Sequence, residues 1–242
     1  MRKRPVVAID GPAGSGKSTT ARAVAEALGF CHLDSGALYR AITWAALREL
    51  GGDPNSWSAE TIVAAARRAS LGVSADGPAL RVTLAGSAVG EEIRGEQVTR
   101  EVSRVSAMGP VREFATHLLR EAAKDGGVVM DGRDIGTVVF PDAEIKVFLV
   151  AEAEVRARRR LTQRGVRLDE RTVRAEAGAL VQRDEHDRGR EVAPLAKAGD
   201  AVVIDTTKLS FEEQVRRVVE LVRRPGLRLT GDKVDLEGRG SV

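Results

Sequence analysis

The chain contains one cysteine, Cys31, in 242 residues, which excludes an internal disulfide and offers nothing to a cysteine-based zinc site. Aromatic residues make up only 3% of the sequence, leaving few platforms on which the bases of single-stranded nucleic acid could stack. No apolar run approaches the roughly 18 residues that a membrane-spanning helix needs. Repeat periods and low-complexity tracts are missing as well. The start of the chain is basic, yet its apolar stretch lasts only from Pro5 to Ile9 before Asp10 and Gly11 interrupt it, which suits a strand better than a secretory signal. These absences lead us to expect a cytoplasmic monomer with neither a membrane nor a nucleic acid as partner.

What is present is a hydrophobic fraction of 43%, enough for one sizeable core. The formal net charge is only +3, but it is unevenly spread. Between Arg156 and Arg190 there are eleven arginines against six acids, a local excess greater than the charge of the whole chain. Focused positive charge of this kind suits small phosphorylated ligands.

The hydrophobic pattern predicts a strand over Pro5 to Asp10, a helix over Ser18 to Leu28, a short strand over Cys31 to Leu33 and a helix over Ala37 to Leu50, with Ser35 or Gly36 near its cap. A polar helix from about Ser58 follows. Alternating stretches at Leu71 to Val73, Leu80 to Leu84 and Ala88 to Val89, separated by turn-forming residues, predict a small antiparallel meander. Helices are expected over about Gln97 to Val105 and Val111 to Lys124, and buried strands over Val128 to Asp131 and Ile145 to Val150. Two charged helices then fill Glu152 to Arg190, joined near Arg164 to Leu168, before a strand over Ala201 to Ile204 and a helix over Phe211 to Val222. The alternation of strands and helices predicts an α/β fold with a doubly wound parallel sheet. The segment after Pro225, rich in glycine and charge, reads as a disordered tail.

Residues Gly11 to Ser18, Gly-Pro-Ala-Gly-Ser-Gly-Lys-Ser, fit the pattern G-x-x-x-x-G-K-[ST] between a predicted strand and a predicted helix. In such a loop the backbone N–H groups turn toward phosphate oxygens and the helix adds the positive end of its dipole. The loop makes Gly11, Pro12, Ala13, Gly14, Ser15, Gly16, Lys17, Ser18 and Thr19 the candidate ATP-binding residues. Lys17 should reach the β- and γ-phosphates, and the Ser18 hydroxyl should ligate Mg²⁺. A dinucleotide fingerprint fails, because Thr19 stands where its third glycine belongs. A GTPase would need Asn-Lys-x-Asp, and the only asparagine is Asn55, which lysine does not follow. A motor or transporter ATPase usually ends an apolar strand in Asp-Glu, whereas the strand here runs into Asp131-Gly132-Arg133-Asp134. A kinase remains.

Five blocks, IDGPAGSGKST (Ile9 to Thr19), LDSGALYR (Leu33 to Arg40), VSRVSAMGPVR (Val102 to Arg112), DGRDIGTVVFPDA (Asp131 to Ala143) and QRDEHDRGREVAPL (Gln182 to Leu195), resemble in letters, order and spacing the bacterial cytidylate kinases, a family of P-loop nucleoside-monophosphate kinases. The resemblance extends to about Arg223. It implies one kinase domain over residues 1–224: a core (1–35, 113–151 and 191–224), an acceptor-binding insert (36–112) that carries the meander, and a helical lid (152–190). It implies transfer of the ATP γ-phosphoryl group to CMP or dCMP with Mg²⁺ as cofactor.

The same resemblance implies that Arg40 and Arg133 hold the acceptor phosphate, that Ser103, Arg112 and Asp134 read the base, and that Arg183, Asp187 and Arg190 contact sugar and phosphate. Ser35 and Tyr39 join the acceptor site with the LDSGALYR block. Arg156, Arg160 and Arg190, with Lys17, are the candidates for stabilising the transferring group. Asp134 has its own chemical rationale: cytosine presents an amino donor and a ring-nitrogen acceptor, which a carboxylate and an arginine complement, whereas uracil turns an oxygen toward the carboxylate. Asp34 either orients a magnesium-bound water or caps the following helix. Glu185 and His186 depart from the family pattern, which has Asp and Arg there, and His186 reads as an exposed lid residue. The rival readings are a P-loop kinase for another acceptor, such as shikimate, and a nucleic-acid-associated ATPase.

Overall fold

Strand β1 (Val6–Asp10) is built from β-branched and small apolar residues, and Val7, Ala8 and Ile9 have no exposed surface. A strand buried on both faces belongs in the middle of a sheet. In the computed structural model, which describes residues 4–76 and 79–223, β1 lies between β6 (Val128–Gly132) and β7 (Ile145–Val150), parallel to both. β2 (Cys31–Asp34) pairs with the far side of β6, and β8 (Val202–Asp205) with the far side of β7, again in parallel.

The expected small antiparallel sheet is present. β3 (Gly72–Asp76), β4 (Ala79–Leu84) and β5 (Ser87–Ala88) form a meander. It is continuous with the main sheet, however, because β4 meets β2 through the single parallel pair His32 and Ala79. One eight-stranded sheet results, in the order β3-β4-β2-β6-β1-β7-β8 with β5 beside β4. The tail expected after Pro225 lies outside the described residues.

The helices are α1 (Lys17–Leu28), α2 (Ser35–Glu49), α3 (Ala59–Arg68), α4 (Glu96–Val105), α5 (Gly109–Ala122), α6 (Ala153–Gln163), α7 (Glu170–Arg188) and α8 (Phe211–Arg223). α1 and α8 cover one face of the sheet through Val24, Ala25, Val218 and Leu221, packed on Val7, Ile9 and Leu149. α2, α3 and α5 cover the other around Leu38, Ile42, Ile62 and Leu119. α6 and α7 form a separate antiparallel pair whose apolar contacts, Ala157, Leu161, Val173, Ala177 and Leu180, close on Ala13 of the phosphate loop. No helix among the described residues is long and apolar enough to cross a membrane.

The exact cap of α2 and the turn after β6 lie beyond what the hydrophobic pattern resolves. α2 starts at Ser35, because the Asp34 carboxylate accepts from the Ala37 N–H and so serves as the N-cap. After β6 the chain makes a single π-helical turn, Ile135–Val139. Such a turn is too short to have a hydrophobic period of its own, and turns of this type occur mostly at functional sites.

Candidate active site

The C-terminal ends of the parallel strands carry Asp10 on β1, Asp34 on β2 and Asp131 on β6, at the edge where ligands of open α/β sheets bind. The loop after β1 takes positive φ at Gly11, Gly14 and Gly16. A side chain at Gly11 would run into the Leu149 carbonyl, so the loop can follow this path only with glycine there. Lys17 is buried, and its ammonium donates to the Pro12 carbonyl at 3.0 Å. Burial, and then the Arg133 charge nearby, push Lys17 down to about 7. The Ser15 hydroxyl is buried with no partner.

Ser18, the first-turn residue of α1, donates its hydroxyl to Asp131 Oδ2 at 2.5 Å. The other Asp131 oxygen meets His32 Nε2 at 2.9 Å. Burial and the neighbouring Asp131 charge raise Asp34 above the usual carboxylate range. A hydroxyl and two crowded carboxylates at a phosphate loop are the oxygen donors a hard divalent cation prefers, so these residues fit Mg²⁺. The strand that lacks Asp-Glu thus still delivers an aspartate to the serine of the loop. Sequence reasoning missed Asp131 and His32, although an apolar strand ending in aspartate beside a phosphate loop was a usable signal for the first.

Near Lys17 lies a group of arginines, of which Arg133 and Arg183 act on its charge. Arg133 Nε donates to Asp187 Oδ2 at 2.9 Å. Arg190 Nε donates to the Asp187 backbone carbonyl at 3.1 Å, and its Nη2 lies 3.7 Å from the Asp187 carboxylate, outside hydrogen-bond distance. Arg183 is pushed down to about 10, by burial first and then by Arg133, with Arg160 and Arg40 adding to the effect. Burial and then the charge of Arg94 lower Arg40 as well. Buried nitrogens of Arg183 and Arg190 have no hydrogen-bond partner. Arg40 donates to Thr99 Oγ1 at 3.0 Å, and Arg160 pairs with Glu176 at 3.1 Å. Burial lowers Arg183, Arg40 and Arg190 first and neighbouring arginines lower them further, and Asp187 is the acid that Arg133 and Arg190 share; guanidinium groups held this close are the donors that phosphate oxygens pair with.

Next to Arg190 is a buried polar cluster. Arg112 Nη2 and Asp134 Oδ2 pair at 2.5 Å, and each side chain is 4% exposed. Arg112 also donates to the Ser106 carbonyl at 2.7 Å, and its guanidinium lies 5.1 Å from the centre of the Tyr39 ring. The Tyr39 hydroxyl is buried without a partner, and burial raises its pKa. Ser103 is half-buried on α4, one turn before Ser106, whose hydroxyl donates to the Ser103 carbonyl. Ser35 is buried, its hydroxyl donating to the Asp131 carbonyl at 2.7 Å. His186 is exposed, as expected.

Arg156 is committed elsewhere in this structure. It donates to the Ala13 carbonyl at 2.8 Å and to Asp184 Oδ2 at 2.5 Å, while Asp184 Oδ1 accepts from the Ala13 N–H at 2.9 Å. Two side chains of the α6–α7 pair thereby grip both polar groups of one phosphate-loop residue. Asp184 was missed, since an acid within a charged helix carries no signal in sequence. Asp10 was missed too. Its carboxylate accepts from the Ile135 and Gly136 N–H groups at 2.8 and 2.7 Å, and burial nonetheless raises it to about 6.

The cytidylate kinase family model matches residues 7–224. A cytidylate kinase of Geobacter sp. (strain M21) is 44% identical over 220 residues, covering 90% of this chain and 91% of that protein. One from Desulfitobacterium hafniense (strain Y51) is 46% identical over 224 residues, covering 91% and 94%. Among solved structures, an uncharacterized protein from Eubacterium ventriosum ATCC 27560 has a TM-score of 0.51 at 12% identity, with 90% of this chain and 98% of that one covered, a likeness of fold alone. The match of the family model over residues 7–224 and the identity to these relatives along nearly the full described length establish that the chain belongs to the cytidylate kinase family.

Proposed function

We propose that the protein is a cytidylate kinase, a phosphotransferase that moves the γ-phosphoryl group of ATP onto CMP or dCMP reversibly, giving ADP and CDP or dCDP. The observation that supports this reading is that Lys17 of the phosphate loop feels the charges of Arg133, Arg183 and Asp131, while Arg133 shares Asp187 with Arg190 and a buried Arg112–Asp134 pair acts on Arg190 in turn. The insert at 36–112 and the lid at 152–190 are the acceptor-binding and closing parts of one kinase domain in this reading.

The phosphate of a nucleoside monophosphate is already anionic at neutral pH, so the attack needs no general base, and catalysis reduces to alignment and charge stabilisation. Residues Gly11 to Thr19 hold the donor, with Lys17 on its terminal phosphates. Ser18, Asp131 and Asp34 would hold Mg²⁺, which would supply positive charge at the donor phosphates. Arg40 and Arg133 aim the acceptor phosphate. Arg183, Asp187 and Arg190 position its sugar and phosphate, and Ser35 and Tyr39 line its site. Arg112, Asp134 and Ser103 read the base: Asp134 accepts from the cytosine amino group, and Arg112 donates to the ring nitrogen.

Arg160 and Arg190 are the residues we assign to neutralising the transferring group. Arg156 would have to abandon Asp184 and the Ala13 carbonyl to do so, which suits it to tying the lid to the loop. Closure of the lid excludes water, which would otherwise accept the phosphoryl group.

The test is a coupled assay of ADP formation from Mg-ATP with CMP, dCMP, UMP, AMP, GMP and shikimate offered separately. Fast turnover confined mainly to CMP and dCMP is expected. Turnover with another acceptor, or only in the presence of nucleic acid, overturns the reading.

A further inference from the structure

The π-helical turn Ile135–Val139 begins directly after Asp134, which occupies its N-cap position but whose side chain accepts no hydrogen bond from the turn. An aspartate there would ordinarily turn its carboxylate onto the exposed N–H groups of the turn it precedes. In this chain a different residue already takes the first two of them. Asp10 Oδ1 accepts from Ile135 N–H at 2.8 Å and Asp10 Oδ2 from Gly136 N–H at 2.7 Å. The far end of the turn is held too, since Arg120 donates to the Val138 and Val139 carbonyls at 3.0 and 2.8 Å. The Asp134 carboxylate is left to Arg112.

We propose that Asp10, at the end of β1, is a positioning residue for base selection: by capping the turn from a different strand it keeps the Asp134 carboxylate out of its own helix cap and available, with Arg112, to the base. This rests on the base-reading role assigned to Asp134 above. It links the two substrate sites physically, because Asp10 immediately precedes Gly11 of the phosphate loop. The requirement is for two acceptor oxygens aimed at two adjacent N–H groups, which a carboxylate meets and an amide does not.

Asp10→Asn retains the size of the side chain but turns an NH₂ toward one of the two N–H groups. The freed N–H then competes with Arg112 for the Asp134 carboxylate. The expected result is a CMP KM raised about 10-fold or more with the ATP KM within about 3-fold of the parent, the pattern of lost acceptor binding. The ratio of kcat/KM for CMP over UMP should fall toward that of Asp134→Ala. In the Asp134→Ala background, Asp10→Asn should change that ratio by less than about 3-fold, because the two substitutions act on one interaction.

A ratio lost in Asp134→Ala and retained in Asp10→Asn overturns the role of Asp10 alone. A ratio unchanged in Asp134→Ala overturns the base-reading assignment and this inference with it. An equal rise in the ATP and CMP KM values, or additive effects in the double variant, makes Asp10 a support of the phosphate loop and also overturns the proposal. If Asp10→Asn does not fold, Asp10→Ser, which leaves a smaller acceptor in place, is measured in the same way.

Discussion

Replacing Asp134 by Asn tests the base-reading pocket most directly. The carboxylate and the Arg112 guanidinium are each 4% exposed and 2.5 Å apart, so neither is screened by water. Against uracil the pair faces two mismatches, an oxygen toward the carboxylate and a ring N–H toward the guanidinium. A buried polar group left unpaired or repelled costs about 1–3 kcal/mol, and the two together amount to about 2–6 kcal/mol, a preference for CMP of about 30-fold to about 10⁴-fold. An asparagine amide can present its oxygen to the cytosine amino group or its amino group to uracil O4. The Asn variant should therefore lose at least about 10-fold of that preference, with a gain for UMP as well as a loss for CMP. Asp134→Ala should lose CMP without gaining UMP.

Stability changes as well. Arg112 retains the Ser106 carbonyl and the Tyr39 ring but loses its counter-charge, which costs about 3–5 kcal/mol for a buried pair. At about 2–4 °C per kcal/mol for a chain of this size the melting temperature drops by about 6–20 °C, and the assay must run below that point. A folded Asn variant whose CMP to UMP ratio of kcat/KM stays within about 3-fold of the parent refutes the reasoning.

Four further outcomes are expected. Lys17 sits at about 7 in the folded chain, below the ordinary lysine value of 10.5, so the folded state binds fewer protons than the unfolded state across that window. The contribution of Lys17 to stability should rise as pH increases from 7 toward 10.5, and thermal melts of the parent against Lys17→Met across that range read the difference. ATP binding near pH 8 should take up a proton at Lys17, measurable by calorimetry in buffers of different ionisation heat and lost in Lys17→Met. Arg156→Ala leaves Asp184 buried without its counter-charge and should cost about 3–5 kcal/mol, while a double variant with Asp184→Asn should recover part of the lost melting temperature. Asp34→Asn keeps an oxygen for the Ala37 N–H, so its melting temperature should hold while the Mg²⁺ concentration for half-maximal turnover rises; an unchanged Mg²⁺ requirement leaves Asp34 a helix cap only.

The sequence by itself determined whatever depends on local pattern. Alternating apolar runs and helical periods placed every strand and α-helix within a few residues, and Gly11 to Ser18 announced a phosphate loop because the geometry of that loop is written in consecutive residues. The family blocks pointed to Arg112 and Asp134, which lie 22 positions apart, before any contact between them could be seen. Tertiary structure decided what depends on chain segments meeting. Asp131 reaches Ser18 across 113 positions, Asp10 caps a turn 125 positions away, and Asp184 grips Ala13 across 171. Asp184 looks in sequence like an ordinary surface acid, and the strand-end positions of Asp10 and Asp131 do not name their partners. Each acquires its role because burial removes water as a partner, so that a carboxylate must find its hydrogen bonds among whichever N–H groups, hydroxyls and guanidinium groups the fold brings beside it.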